Sequence, residues 1–199
     1  MYHGNLKEAQ FPSNVGDNKL PIRAFVVFDK TLEESFFRFD NVFWHWGHGV
    51  VIQAKLGLKA AIRSSFEAIF QEVSIADKIN LQHLANYDVI IIPRIEMVGH
   101  VIEVSAIVKS ALTEDVLQTY RRRGNMNLTV PTSVHIIGFI NVIPFSFLTT
   151  PIATPLITEI IGKQAEKDLA NTLRYLLASI NDDIMNDRQL LMKLNLINK

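Results

Sequence analysis

The chain has 199 residues, of which 48% are hydrophobic and 20% are charged. This length and composition fit one folded domain, because domains usually hold roughly 100 to 200 residues around a single core. Its 20 basic and 20 acidic side chains cancel, and it contains no cysteine. A nucleic-acid partner attracted by net charge is therefore not expected, and disulfides, thiolate nucleophiles and cysteine-rich metal sites are excluded.

Residues 1–19 are predicted to be a flexible tether, because this stretch is polar and contains glycine, asparagine and proline. It has no apolar segment of signal-peptide type, so we expect neither a signal peptide nor a membrane anchor in it. We interpret the chain as a mature form that has lost an export segment. Residues 20–199 are predicted to form a single α+β domain.

The first predicted strand is Leu20–Phe28, which is short, β-branched and aromatic and carries one apolar face. A polar and aromatic connection, Thr31–Asn41, follows it. Val42–Gln53 is then predicted to be a second extended segment, with a bulge or turn at Gly47 and Gly49.

An amphipathic helix is predicted from Leu58 to Val73, because apolar residues recur there at intervals of three and four. Such a helix is marginal alone in water, so its apolar stripe must cover a sheet or another helix. The residues of the stripe are Leu58, Ala61, Ile62, Ser65, Phe66, Ile69, Phe70 and Val73.

An antiparallel meander is predicted next. Tyr87–Met97 and Val101–Leu112 are both strand-like, and Val98-Gly99-His100 between them is a hairpin signal. Pro93 cannot donate a hydrogen bond to a neighbouring strand, which places it at a sheet edge or a bulge. Val116–Arg122 is predicted to return as a further strand.

The last long helix is predicted to begin after Thr154-Pro155, a capping residue followed by the residue preferred at the first helical position. Its tail around Leu190, Leu191 and Leu194 is predicted to extend it or to form a short docked helix, with a partner-binding helix as the alternative. The predicted buried stripe is Ile161, Ala165, Leu169, Leu173, Leu176, Ile180 and Ile184.

The segment Val130–Thr158 carries no lysine, arginine, aspartate or glutamate. Its prolines argue against a membrane-spanning helix, so we divide it into a buried strand at Ser133–Ile143 and a loop at Pro144–Pro155. An exposed apolar loop of this kind marks a contact with a partner, a ligand or a membrane, and the alternative is a loop folded back over the core. Its contact candidates are Phe145, Phe147, Leu148 and Ile152.

A second contact candidate is the aromatic patch of Phe43, Trp44 and Trp46, for which ordinary packing is the competing interpretation. His45 and His48 within it have no nearby acidic residue or cysteine to complete a metal site, so no metal site is predicted. The run Arg121 to Arg123 is interpreted as a solvated turn or strand end, or else as a contact with a phosphate or lipid headgroup.

The sequence contains none of the common nucleophile, zinc-binding or phosphate-binding motifs. Adjacent carboxylates such as Glu114-Asp115 are explained by solvated turns and helix ends. We therefore predict no catalytic residues and no cofactor. The order of elements predicts an α+β fold, a mostly antiparallel sheet with two long amphipathic helices packed on one face.

The helix AAIRSSFEAIFQEV, the strands YDVIIIPRIEMV and VIEVSAIVKSALTED, and the late helix AEKDLANTLRYLLASI resemble those of small bacterial envelope lipoproteins. The group resembled is the one with an LpoB, YajG or CsgG N-terminal type of α+β domain, over about residues 20 to 180. The resemblance implies a periplasmic domain that is tethered to the outer membrane through a lipidated N-terminal cysteine. It also implies action by binding or assembly without catalysis. The lipidated cysteine is absent from this sequence.

Three functional hypotheses follow. The first is a non-enzymatic envelope lipoprotein domain that binds another envelope protein, with possible membrane or lipid contact. The second is a carrier of a lipid or small apolar ligand, in which the two helices and the apolar loop enclose the ligand. The third is a hydrolase or metal enzyme that uses His45, His48 or His100.

Overall fold

The computed structural model describes residues 1–7, 11, 19–39, 49–78, 84–126, 133–134 and 146–196, with the backbone alone for residues 146–154. The strands are β1 (Tyr2–Asn5), β2 (Leu20–Val27), β3 (Phe36–Phe39), β4 (Val50–Gln53), β5 (Phe70–Ala76), β6 (Val89–Val98), β7 (Val101–Ser110) and β8 (Val116–Asn125). The helices are α1 (Lys30–Glu33), α2 (Lys55–Glu67), α3 (Ser146–Asn186) and α4 (Arg188–Lys193).

Two sheets form the β layer of the fold. The larger has the order β5-β2-β6-β7-β8, and the smaller has the order β1-β4-β3. In the larger sheet β2 pairs in parallel with β5 and β6, whereas β6, β7 and β8 form an antiparallel meander. The predicted α+β class is confirmed, but the sheet is mixed because β2 pairs in parallel with both of its neighbours, one of which, β5, was not predicted as a strand.

Strand β2 confirms the first predicted strand. Its predicted apolar face is buried against α2 and α3, with Ile22, Ala24 and Val26 at most 2% exposed. The opposite face of β2 is also covered, since Phe25 and Val27 pack in a second, smaller cluster with Leu84. A strand that is buried on both faces has the near-continuous apolar sequence seen here.

The hairpin between β6 and β7 is confirmed. Val98 pairs with Val101, and the two-residue turn contains Gly99 with a φ of 63°, a value that favours glycine. Pro93 also lies where its lack of an N–H group is tolerated. The pairing of β2 with β6 ends at Ile91, so at Pro93 no strand of the described residues pairs with the β2 side of β6.

The first long helix is shorter than predicted. Helix α2 ends at Glu67, and Phe70–Ala76 forms strand β5 instead of two further helical turns. The spacing of Phe66, Ile69 and Val73 fits a helix, but Val73 and Ile75 are β-branched and align with β2. Pairing with β2 therefore determined the structure of residues 70–76, although their spacing also fits a helix. The predicted connection at residues 31–41 likewise contains α1 and β3.

Helix α3 confirms the predicted buried stripe, because every residue from Ile161 to Ile184 in that stripe is at most 4% exposed. The predicted loop at Pro144–Pro155 is wrong from Ser146 onward, where the backbone is already helical. Pro151 and Pro155 each remove one N–H donor, and the helix continues through both. Of the predicted strand at Ser133–Ile143, Ser133 and Val134 are helical and residues 135–143 lie outside the described residues.

Helices α2 and α3 pack on the same face of the larger sheet, as predicted, and share one apolar core with it. The contact between α3 and β8 is close. A β-carbon added to Gly124 of β8 would lie 3.1 Å from Cδ2 of Leu176. After α3, Asp187 caps the short helix α4, which docks through the buried Leu190, so the predicted docked tail is confirmed.

The N-terminal residues of the predicted tether are structured. Strand β1 pairs in parallel with β4, and it contacts α3 through Glu166, which is 7% exposed. Glu166 Oε1 accepts hydrogen bonds from the Tyr2 hydroxyl at 2.9 Å and from the Asn5 N–H at 3.1 Å. Burial and this hydrogen bond raise the pKa of Tyr2 to about 12. Residues 12–18 lie outside the described residues.

We expect Gly162→Ala to destabilise the protein by about 1 to 3 kcal/mol through overpacking. A β-carbon at Gly162 would lie 2.1 Å from Cγ of Tyr2, so β1 would have to move away from α3. In a Tyr2→Ala background the same change should be neutral or stabilise by up to about 1 kcal/mol, because alanine is the better helix former. Urea denaturation of the four proteins measures this coupling, and an equal penalty in both backgrounds would contradict the docking of β1 on α3.

Candidate functional site

One face of the β6-β7-β8 meander lies opposite the helices, and we call it the open face. Side chains on adjacent strands form rows across it, because directly paired residues point to the same side of a sheet. The rows are Ile92-Ile107-Thr119, Arg94-Ser105-Arg121, Glu96-Glu103-Arg123 and Val98-Val101-Asn125.

The charges of the open face are held in a defined arrangement. Glu103 is 19% exposed and lies between two arginines, with its Oε1 3.0 Å from Nε of Arg121 and its Oε2 bonded to Nε of Arg123. Exposed ion pairs add little stability, so the main effect of this bridge is to orient the two guanidinium groups. Within the described residues, Arg94 and Glu96 form no ion pair. Arg94 nevertheless has a carboxylate nearby: burial raises the pKa of Asp29, but its hydrogen bonds with Thr31 and Leu32 and the charge of Arg94 lower it.

The basic run is divided between the two faces of the sheet. Arg121 and Arg123 point to the open face and are 60% and 66% exposed, whereas Arg122 points toward the helices and bonds to Asp183 of α3. Alternation along a strand produces this division. The arginines of the predicted solvated strand end are exposed and form ion pairs with Glu103 and Asp183. With Arg94, Glu96 and Glu103, the open face carries three arginines and two glutamates.

The hairpin end of the open face is apolar. Val98 is 79% exposed and Val101 is 38% exposed, and the two are directly paired. His100 in the turn stacks on the ring of Phe39 from the smaller sheet, with 6.3 Å between the ring centroids. His100 therefore connects this apolar end of the larger sheet to the smaller sheet.

A cavity of about 430 Å³ lies between α2 and α3. Ala61, Ile69 and Leu177 contribute apolar lining, and Arg174 lies over the ring of Phe11 with 6.0 Å between its Cζ and the centroid. Asn181 also lines the cavity and is 7% exposed. Its Nδ2 donates to the Ser65 carbonyl at 2.7 Å.

The polar atoms of this cavity are incompletely paired. Oδ1 of Asn181 and Oγ of Ser65 are both buried, and neither has a hydrogen-bond partner among the described residues. A buried polar atom without a partner costs about 1 to 3 kcal/mol. These two buried atoms beside the cavity therefore have hydrogen-bonding capacity that the described residues do not use.

A carboxylate at the junction of β8 and α4 has the opposite character, since it is fully bonded. Asp187 accepts hydrogen bonds from Nε2 of Gln118 and the hydroxyl of Tyr120, each at 2.9 Å, and from the N–H groups of Gln189 and Leu190. Burial raises the pKa of Asp187, but these hydrogen bonds outweigh burial and hold it below its usual range. Burial and the bond to Asp187 raise the pKa of Tyr120. This junction is structural.

Several predicted site residues cannot be assigned to the open face or to the cavity. Phe43, Trp44, Trp46 and Phe145, together with His45 and His48, lie outside the described residues. Phe147, Leu148 and Ile152 lie in the first turns of α3 instead of a loop. Their role as contact residues stays a prediction.

Two features are absent from the described residues. Among them, no group of three or more histidine, cysteine or acidic residues is placed to hold a metal ion. None of the helices they form is both long and apolar enough to cross a membrane.

The run Arg121 to Arg123 was given a phosphate or lipid-headgroup contact as an alternative, but the other charged residues of the open face and the polar residues of the cavity were not predicted as sites. The alternation of Arg121 and Arg123 was visible in the sequence, but Arg94, Glu96 and Glu103 join them only through the register of three strands. No sequence pattern indicated a role for Asn181, because single asparagines are common on the surfaces of helices.

The comparisons with known proteins are sparse. No protein family model and no curated protein sequence matches the chain. Among solved structures, the chain is similar to the crystal structure of a Xanthomonas campestris protein described by the family name DUF330. The two share 9% sequence identity with a TM-score of 0.48, over 95% of this chain and 99% of that one.

Proposed function

We propose that this chain is a non-enzymatic binding domain of the bacterial cell envelope that docks another envelope protein on its open face. The observation that carries this proposal is the arrangement of Arg94, Glu96, Glu103, Arg121 and Arg123 on one rigid three-stranded surface. Fixed charges on a preorganised sheet provide specificity and orientation in protein recognition.

The chemistry of the partner can be inferred from the charges that remain without an ion pair. Glu96 lies directly opposite Glu103, whose charge is balanced by Arg121 and Arg123, whereas Glu96 itself has no ion pair among the described residues and would take a cation from a partner. Arg94 lies one row away, forms no ion pair with the nearby Asp29, and would take a carboxylate from a partner. The exposed Val98 and Val101 at the hairpin end match the apolar part of an interface. The partner thus presents a cation and a carboxylate beside an apolar patch.

The cellular location in this proposal rests on the resemblance to LpoB, YajG and CsgG-type lipoproteins. It places the domain in the periplasm, tethered to the outer membrane by an N-terminal lipid. Fractionation of cells that express the full gene product, followed by metabolic labelling with a fatty acid, tests the location and the anchor separately from the docking face.

We expect a photoreactive residue in place of Thr119 to form one defined protein adduct in intact cells. Thr119 is exposed at one side of the open face. The same residue in place of Tyr175, which is 70% exposed on α3, should not form that adduct. Mass spectrometry of the adducts identifies the partner, and adducts that are the same at both positions would contradict the proposal.

A charge swap tests whether the adduct depends on the open face. Exchanging Arg94→Glu and Glu96→Arg together preserves the net charge but reverses the order of the two charges, so we expect at least about a tenfold loss of adduct. The matched control is the swap Arg63→Glu with Glu67→Arg, an exposed pair on α2 whose atoms are 3.9 Å apart. An adduct that survives the first swap unchanged excludes docking through these charges.

The second candidate function is that of a carrier of a lipid or small apolar ligand. The cavity between α2 and α3 favours it, because about 430 Å³ lies within the range of roughly 300 to 1,000 Å³ that ligand cavities occupy. Binding of a ligand there and docking of a protein on the open face use opposite sides of the sheet, so the two functions are compatible.

A further inference from the structure

The side chains of the open face follow an order that is complementary to its own reverse. Along β6 the residues on this face are Ile92, Arg94, Glu96 and Val98, so a basic and an acidic residue lie between two apolar ones. The last three of these side chains are exposed and Ile92 is partly exposed. Read from the other end, the same strand presents an acidic residue where this one is basic and a basic residue where it is acidic.

We propose that the open face pairs with a second copy of this chain in a two-fold symmetric dimer. A two-fold axis between the two faces, midway between Arg94 and Glu96 and perpendicular to the strands, reverses β6 in the second copy. Arg94 of each copy then lies opposite Glu96 of the other, and Val98 lies opposite Ile92. Facing sheets lie about 10 Å apart, a distance that an arginine and a glutamate span together. Each dimer thus forms the Arg94–Glu96 pair twice.

Strand β7 agrees with this arrangement. The same axis places Val101 of one copy opposite the partly exposed Ile107 of the other, which adds two further apolar contacts. It places Ser105, which is small and neutral, opposite Glu103, so no like charges meet on β7. The inner two strands of the face are therefore complementary to a second copy at every row.

Strand β8 forms the rim of the contact. Arg121 of one copy comes opposite Arg123 of the other, which is the one unfavourable row. Both arginines are exposed and bonded to Glu103 of their own copy, and β8 is the last strand of the larger sheet among the described residues. Their guanidinium groups can therefore extend into solvent beside the contact, where salt screens their repulsion.

The size of the open face predicts a reversible dimer. Three strands about 4.8 Å apart and four rows about 7 Å apart cover roughly 400 Å² on each copy. The total of about 800 Å² lies below the roughly 1,200 to 2,000 Å² of stable interfaces, so we expect a weak and transient contact. The inference rests on the proposed function in one respect, since it concerns the same face, and there an envelope partner has to compete with self-pairing.

Charge reversal combined with sedimentation equilibrium tests the dimer. The purified protein is measured in low salt at concentrations up to about 1 mM, where we expect wild type to be in equilibrium between monomer and dimer. Arg94→Glu and Glu96→Arg each place like charges opposite one another twice, so each should raise the dissociation constant at least about tenfold. The double swap Arg94→Glu/Glu96→Arg is complementary to itself, so its dissociation constant should stay within about threefold of wild type.

A mixture of the two single variants provides the rescue. One variant carries two acidic residues at positions 94 and 96 and the other carries two basic ones, so an equal mixture should form a mixed dimer that neither forms alone. The swap Arg63→Glu/Glu67→Arg on α2 is the matched control and should leave the dimer unchanged. Urea denaturation checks that each variant is folded, because a glutamate at position 94 would lie near Asp29.

The proposal is overturned if wild type stays monomeric up to about 1 mM, if the single variants dimerise as wild type does, or if the double swap fails to dimerise. If Arg94→Glu does not fold, Glu96→Arg and Val98→Glu decide. Val98 is exposed in the monomer but lies against Ile92 of the second copy in the dimer, so unchanged dimerisation of Val98→Glu also overturns the proposal.

The dimer and the docking of an envelope partner fail separately in these experiments. The double swap keeps the self-complementary order but reverses the charges that a different protein would meet, so it should retain the dimer and lose the adduct. A dimer without an adduct of another protein at Thr119 contradicts only the docking of a partner. An adduct of another protein without a dimer contradicts only self-pairing.

Discussion

Replacing Leu173 with alanine is expected to lower the free energy of unfolding by about 2 to 5 kcal/mol, the range for large-to-small changes in a packed core. Leu173 is 0% exposed and lies in the middle of the α3 stripe, in the core that α3 shares with α2 and the larger sheet. Its truncation removes apolar burial and leaves a cavity that neighbouring side chains only partly fill. Urea denaturation followed by circular dichroism measures the change.

The same substitution at Leu156 provides the matched control. Leu156 lies in the same helix but is 46% exposed, so Leu156→Ala should cost less than about 1 kcal/mol. If the two variants lose equal stability, the stripe of α3 does not face the core in the way described. A loss of stability in Leu156→Ala alone would indicate that the opposite side of α3 faces the core.

Asp187→Ala is expected to destabilise the protein by about 2 to 4 kcal/mol at pH 7. The change removes the cap of α4, which is worth about 1 kcal/mol. It also leaves the hydroxyl of Tyr120, a residue 7% exposed, without its acceptor, which adds about 1 to 3 kcal/mol. Denaturation curves at pH 7 measure the effect, and Asp182→Ala on the exposed side of α3 is the control that should change little.

The effect of Asp187→Ala should depend on pH in a defined direction. The pKa of Asp187 is lowered in the folded protein, so its contribution is complete above the unfolded pKa of about 3.9. That contribution decreases as the pH falls through the lower folded-state value, where the carboxyl group becomes protonated. The difference between wild type and variant should thus shrink in acid, and a difference that stays constant to pH 2 would contradict the bonding described for Asp187.

Much of the secondary structure was predictable because local pattern and tertiary environment agree. The β6–β7 hairpin follows from Gly99 and from strand-like residues on both sides of it, and the buried stripe of α3 follows from its spacing alone. Disagreement arose where two patterns competed. The apolar residues after Phe66 suit a helix and a strand equally, and the parallel pairing with β2 favoured the strand.

The candidate sites were much less predictable than the elements that carry them. The open face requires residues from three strands to align, and Arg94 and Glu103 are 27 and 18 positions from Arg121 in the sequence. The cavity requires α2 and α3 to meet, so that Asn181 reaches a carbonyl 116 residues earlier. The spacing of residues within one element does not predict the alignment of three strands or the contact between α2 and α3, because both depend on how whole elements pack.

The amino-acid pattern was sufficient for the α+β class, the strand at residues 20–27, the antiparallel meander and the inward face of α3, since each depends on periodic burial of neighbouring residues. Folding in three dimensions set the parallel placement of β5, the docking of β1 on α3, the row of charges on the open face and the buried acceptor of Asn181. These features join distant parts of the chain. Their energies come from contacts that no local segment can form alone.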